Sequence, residues 1–258
     1  MLVFCFGLFV LSCKNEKPAP PPAPLTIETV TIERKNGADC DRADSLIFNC
    51  AHVNFKYPLL KDGPDSLRQA VDAWAREFMT SWVGMSEEPD NFPPLDEAIN
   101  NFFNMHQEQV KEMPDAPAYY VAETKDTVLL NDGKYLTLKL DGYSYTGGAH
   151  PNASSLVVTF DVATAKKVTL EKFVTSLDTL QQIAEKKFRE VRADLFKPES
   201  EGGFGFEFDE SAPFKLADNI GLLKDGLYFC YVPYEVGSYS MGYTEFVIPF
   251  SEIPQIKK

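Results

Sequence analysis

Ser155–Leu170 reads SLVVTFDVATAKKVTL, and its pattern decides the fold class. Leu156, Val158, Phe160 and Val162 alternate with polar or exposed positions, the period of a half-buried strand. The short turn ATAKK follows. Leu177, Leu180, Ala184, Phe188, Val191 and Leu195 then recur at helical spacing. A strand, a turn and a packing helix in this order make an α+β unit. Upstream, LTIETVTIE from Leu25 and SLIFNCAHVNFKYP up to Pro58 also read as strands. Gly63-Pro64-Asp65 punctuates the chain, with Asp65 or Ser66 as the expected helix N-cap. A stripe of Leu67, Val71, Trp74, Phe78 and Trp82 predicts the first helix. Leu95, Ile99, Phe102, His106, Val110 and Met113 predict a second, ended by Pro114. Strands return at 118–130 and 134–145 around the turn Asn131-Asp132-Gly133. Downstream of Gly202-Gly203 lie four strand-like segments: GFEFDE, PFKLA, GLYFCYVPY and YTEFVIPF. The expected fold is α+β: two adjacent α/β units, each with a mostly antiparallel sheet packed against one or two helices. The units are read as 25–150 and 151–258.

The 258 residues carry a formal charge of −13. Such an acidic chain argues against nucleic acid and against an anionic membrane surface as partners, and it suits a basic one. With 20 Phe, 11 Tyr and 2 Trp there is ample material for a packed core. Leu2–Ser12 is an apolar run that ends at Cys13. A membrane-spanning helix needs about 20 apolar residues. The run therefore reads as a lipoprotein signal peptide, 1–12, with Cys13 as the lipidated residue. Residues 13–24 include PAPPPAP, a Pro-rich tether of extended chain. The expected location is the cell envelope, lipid-anchored at the periplasmic or outer-membrane surface.

Cys5 leaves with the signal. Cys40 and Cys50 flank a polar turn and are expected to pair in an oxidising compartment. Cys230, in LYFCYVPY, reads as a small buried hydrophobe. No Gly-rich phosphate loop, paired-cysteine zinc motif or HExxH occurs, so neither a metal nor a cofactor is expected. Of the three histidines, His52 lies in a strand-like segment and His106 on an apolar helix face. His150 stands in YTGGAHPN (145–152), after two glycines that permit unusual backbone. The other notable stretch is VPYEVGSYSMGY (232–243), with Tyr234, Tyr239 and Tyr243 between two apolar strands. Rings on a short loop make rigid amphipathic contact surface at low entropic cost. Two plainer readings stand beside these: a turn with His150 bonded locally, and a hairpin whose tyrosines cap the core.

YSYTGGAHPN, then SLVVTFDVATAKKVTL with EKF and a helix, then GLYFCYVPYEVGSYSMGYTEFVIP, resemble a known extracytoplasmic domain. It is the domain shared by RsiV-type anti-sigma factors and the N-terminal region of PdaC-type peptidoglycan deacetylases. The likeness spans roughly residues 45–252. Pro151 departs from a common Gly, and Ala165 stands where the strand turn usually has Gly. No sigma-binding part, membrane-spanning helix or His/Asp-rich catalytic domain accompanies the module here. The resemblance therefore implies a non-enzymatic binding or sensor module on a lipid anchor. RsiV-type modules bind lysozyme. Carried over by similarity, the contact surface comprises Ser144, Tyr145, His150, Pro233, Tyr234 and Tyr239. The expected partner is a lysozyme-like protein or peptidoglycan. The competing expectation is a cell-wall glycan-modifying enzyme using His150 and a carboxylate as its acid–base pair. Asp-Ser/Thr-apolar triplets at Ser45, Ser66, Thr127 and Thr179 also resemble an O-glycosylation signal of Bacteroidetes envelope proteins, a likeness that a mass shift on those peptides would check.

Overall fold

The structure is a computed structural model that describes residues 22–41, 49–84, 93–114, 116, 118–209 and 211–254. The signal run, Cys13, most of the tether and the triplet at Ser45 lie outside these. Six strands form the first sheet: β1 (Ile27–Asn36), β2 (Cys50–Leu60), β3 (Tyr119–Asn131), β4 (Tyr135–Tyr145), β5 (Asn152–Asp161) and β6 (Lys166–Lys167). They lie in chain order, and every pair is antiparallel except β2–β3. A parallel pair needs a long crossover. Helices α1 (Asp65–Val83) and α2 (Leu95–Glu112) supply it.

A second sheet is antiparallel: β7 (Asn219–Leu222), β8 (Gly226–Tyr231) and β9 (Thr244–Pro249). Helices α3 (Leu177–Val191) and α4 (Ala193–Phe196) precede it. Four layers result. Helices α1 and α2 cover one face of the large sheet, with Leu136, Leu138 and Leu140 of β4 packed in the same core as Trp74, Phe78 and Phe102. The three-stranded sheet lies on the other side. Tyr228 and Cys230 of β8 meet Val157 of β5, while Leu227, Phe229 and Tyr231 turn to Phe188 of α3. The middle of β4 is covered on both faces, so Tyr135 through Leu140 are all buried. The α+β architecture agrees with the sequence reading. The first sheet nevertheless runs through residue 150, where that reading places its division, because β5 and β6 pair onward from β4.

Several local expectations are corrected. The N-cap of α1 is Pro64, whose carbonyl accepts from Leu67 and Arg68; neither Asp65 nor Ser66 caps it. The helical stripe breaks at Arg192 (φ −110°, ψ 40°), which leaves Val191 exposed and starts α4 anew. GFEFDE and PFKLA, expected as strands, join no sheet among the described residues; the amides of Gly205 and Phe206 bond to the carbonyls of Lys197 (2.8 Å) and Leu195 (2.9 Å). Their Phe208 and Phe214 instead pack on the ring of Phe188, at 5.9 and 5.7 Å between centroids. Burial of aromatic area there outweighs ladder formation.

Candidate functional site

The register Ser144↔Asn152 fixes a hairpin loop between β4 and β5. Gly147 and Gly148 take φ of +98° and +95°, in a region that L side chains rarely enter. The Tyr145 hydroxyl donates back to the Gly148 carbonyl at 3.1 Å. His150 Nδ1 sits 2.8 Å from the Pro151 carbonyl, which makes that nitrogen the donor.

The connection between β8 and β9 is braced at both ends. At its start, the Glu235 carboxylate accepts from the amides of Val232 (2.9 Å) and Asp218 (2.8 Å). Burial pushes this carboxyl above the usual range against those two bonds. At its end, Arg192 Nη1 donates to the Met241 carbonyl (2.9 Å) and to Thr244 Oγ1 (2.7 Å). The same guanidinium pairs with Asp194 and lowers that carboxyl. A Cβ on Gly237 would lie 2.2 Å from Met241 Sδ, so a larger residue in the inner turn would have to displace the end of the Met241 side chain.

The two loops meet. The His150 ring stacks on Tyr239 at 4.2 Å and 16°. Its Nε2 lies 3.2 Å from the Tyr234 hydroxyl, 84 residues along the chain. With Nδ1 donating, Nε2 accepts from that hydroxyl. Tyr234 and Tyr239 close the triangle at 5.6 Å. Tyr234 is 63 % exposed and holds φ at +73°.

Of the residues named from sequence, His150, Tyr234 and Tyr239 therefore form one cluster. Pro233 precedes it half-buried, Tyr145 folds back on its own loop, and Ser144 is buried in β4. Both ring nitrogens of His150 are engaged, and no carboxylate or serine is bonded to them among the described residues. The Cys40–Cys50 disulfide is present at this end of the sheet, Cα to Cα 4.9 Å. His106 is fully buried, its Nε2 2.8 Å from the Ala118 carbonyl.

Sequence reasoning missed a polar cluster beneath the loops. Lys139 is 8 % exposed, and its ammonium lies 2.5 Å from Glu245 and 2.9 Å from Asp141. Ser155 donates to Asp141 at 2.6 Å, and the Cys230 thiol approaches Glu245 at 3.6 Å. Burial pushes Cys230 up to about 11, so it stays a thiol. Each of these residues sits in a strand, and only the pairing of sheets joins them. Tyr143, exposed on β4, was missed as well; its phenol is raised by burial, then by Glu123 and the nearby Tyr239.

The opposite end of the large sheet receives the chain. Leu25 N donates to Asn131 Oδ1 and Asn131 Nδ2 donates to the Leu25 carbonyl, both at 2.8 Å. Gly133 (φ +81°) leaves room for the Pro22 and Ala23 carbonyls, which a Cβ would meet at 2.4 and 2.6 Å. The eleven residues of β4 separate this end from the aromatic cluster, about 35 Å at ~3.3 Å per residue. No helix among the described residues is long and apolar enough to cross a membrane. Among the same residues no group of three metal-binding side chains converges.

Residues 48–153 match the family model described as Deacetylase PdaC, and 168–251 match the one described as Protein of unknown function (DUF3298). The chain is similar to a DUF3298 family member from Bacteroides fragilis, at 15 % identity and TM-score 0.64, over 93 % of this chain and 96 % of that one. It is similar also to a DUF3298 family protein from Pseudomonas aeruginosa, at 17 % identity and TM-score 0.59, over 91 % and 95 %. At such identities the likeness establishes the fold. No curated protein matches in sequence. The two matched regions, side by side, are those of the domain that residues 45–252 resemble, and they indicate an extracytoplasmic domain of unknown function.

Proposed function

We propose, from a chain that joins a PdaC-type region to a DUF3298-type region, that this protein is a non-enzymatic binding module of the cell envelope. Its ligand face is the His150–Tyr234–Tyr239 cluster, and its ligand is a basic, lysozyme-like protein. One observation carries the reading: two loops far apart in sequence are braced so as to present stacked rings to solvent. Rings held this way lose little freedom when a partner's cleft closes on them. The charge of −13 steers a basic partner toward the chain. A lipid on Cys13 would hold the module at the end where Leu25 meets Asn131, with the rings facing away from the anchor.

Calorimetric titration of the protein with lysozyme, at low and then physiological salt, tests this. The expected result is saturable one-to-one binding that survives physiological salt and is lost in Tyr234→Ala and Tyr239→Ala. Heat that vanishes with salt would reduce the interaction to charge attraction. Peptidoglycan fragments are the second titrant. Turnover of peptidoglycan that His150→Ala abolishes would replace the binding module with a glycan-modifying enzyme.

A further inference from the structure

A cleft of about 550 Å³ opens between the two sheets, at the end of the large sheet remote from the aromatic loops. The β3–β4 turn forms one wall and the β7–β8 turn the other. Its floor is aromatic. Tyr135 is 8 % exposed, and Phe173 meets its ring edge-on at 5.4 Å. Phe250, just past β9, lines the same space. Three lysines line the cleft with it: Lys134, Lys172 and Lys224. Lys134 and Lys172 each place Nζ 5.0 Å from the Tyr135 ring centre, at cation–π distance.

The charges are not balanced from within. Lys172 is bound to Asp161 at 2.8 Å. The ammonium groups of Lys134 and Lys224 have no ion pair among the described residues. Asp132 is the single acid among the described lining residues. One of its oxygens already accepts from the amides of Lys134 (2.9 Å) and Tyr135 (2.7 Å). On a chain of net −13, a cleft lined by three lysines and one acid stands out as a place for an anion. The volume is that of a small-molecule site, larger than a bare inorganic anion fills, and its floor is apolar. The cleft also adjoins the point where the chain arrives, since Pro22–Leu25 run against the same β3–β4 turn.

We propose that this cleft binds an anionic single-chain amphiphile. The head, a phosphate or a carboxylate, lies among Lys134, Lys172 and Lys224. The acyl or aryl body lies over Tyr135, Phe173 and Phe250. The site is separate from the aromatic loops and does not depend on what they bind.

The test titrates the protein by calorimetry with decyl phosphate and with decanoate, each below its micellar concentration. Decyl maltoside and inorganic phosphate are the controls. The expected result is one saturable equivalent of an anionic probe, weakened at least about tenfold in Lys134→Gln/Lys224→Gln. Both lysines are exposed, so the fold tolerates the change. Tyr234→Ala is expected to leave this binding unchanged, which separates it from the loop face. Tighter decyl phosphate would assign a phosphate head, and tighter decanoate a carboxylate head. Equal binding of decyl maltoside, equal binding of inorganic phosphate alone, an unaffected double variant, or no binding would each overturn the proposal.

Discussion

Two side chains hold backbone that glycine would hold more easily. Ala165, at φ +58°, closes the turn after β5 and donates its amide to the Asp161 carbonyl at 2.8 Å. Tyr234 stands at +73°. An L side chain in this region costs roughly 1–2 kcal/mol, part of which glycine returns through its freer unfolded chain. Ala165→Gly is expected to raise stability by about 0.5 kcal/mol, read as a higher denaturant midpoint at constant slope. At the exposed ring, Tyr234→Gly is expected to be more stable than Tyr234→Ala by a similar amount, with partner binding equally lost in both. The first of these was half legible: the sequence shows an alanine where the resembling domain usually has glycine. The second was not, since nothing in PYEVG announces which residue of the turn will reverse its φ. His150 and Tyr239 could be named as contact residues but not as a stacked pair, because stacking depends on both loops' closure.

Among the elements, β4 shows most clearly what pattern reading reaches. Its alternation marks a strand, and the turn at Asn131-Asp132-Gly133 marks where it starts. The alternation of Leu136, Leu138 and Leu140 with Thr137, Lys139 and Asp141 reads as one solvated face, yet both faces of Tyr135–Leu140 are buried, so neither the strand's central place nor the buried Lys139 is visible from sequence. Gly142, further along, lies where a Cβ would meet the Trp82 indole at 2.1 Å. Gly142→Ala is expected to displace that ring and lower stability by roughly 1–3 kcal/mol, with a shift in tryptophan fluorescence as the readout. Lys139 joins β4 to β9 through Glu245. Burial, the largest single influence, would raise the Glu245 carboxyl, but the hydrogen bonds from Lys139, Tyr228 and Cys230 and the Lys139 charge together outweigh it and hold the group below the ordinary 4.5. A depressed carboxyl adds stability above its unfolded value and loses it as pH falls through its folded value. Lys139→Met is therefore expected to cost about 2 kcal/mol at neutral pH, less than a fully buried pair because Glu245 is partly solvated. The gap from the parent protein should narrow as pH drops below 4.5. A gap that stays constant in urea titrations across that range would refute the assignment. The helix α3 shows the opposite limit: its apolar spacing continues to Leu195, yet Arg192 leaves the helix to hold Met241 and Thr244.

At the scale of the molecule, two sheets that do not share a ladder are joined by buried polar bonds. Asn219 Oδ1 accepts from the Val157 amide at 2.9 Å, and Thr159 Oγ1 accepts from the Leu222 amide at 3.1 Å. Asn219→Ala leaves a buried amide without its acceptor and is expected to cost about 1–3 kcal/mol. Because Val157, Tyr228 and Cys230 pack across the same junction, melting is expected to stay a single transition at a lower temperature. Two separate transitions would mean that the halves fold independently. The fold class was readable because strand and helix periods are local properties. The parallel β2–β3 pair, the four layers and the lysine-lined cleft were not, since each depends on contacts between residues far apart in the chain. The entry of the chain at Leu25 has a mechanical consequence. A pull on the chain ahead of Leu25 loads its two hydrogen bonds with the Asn131 side chain and those of Thr26 with Asp62. Beyond them it runs along the axis of β1, whose register Ile27↔Leu60 to Asn36↔Ala51 would be loaded in shear, all rungs at once. A fold entered this way resists a pull on Leu25 better than a strand peeled open from its far end.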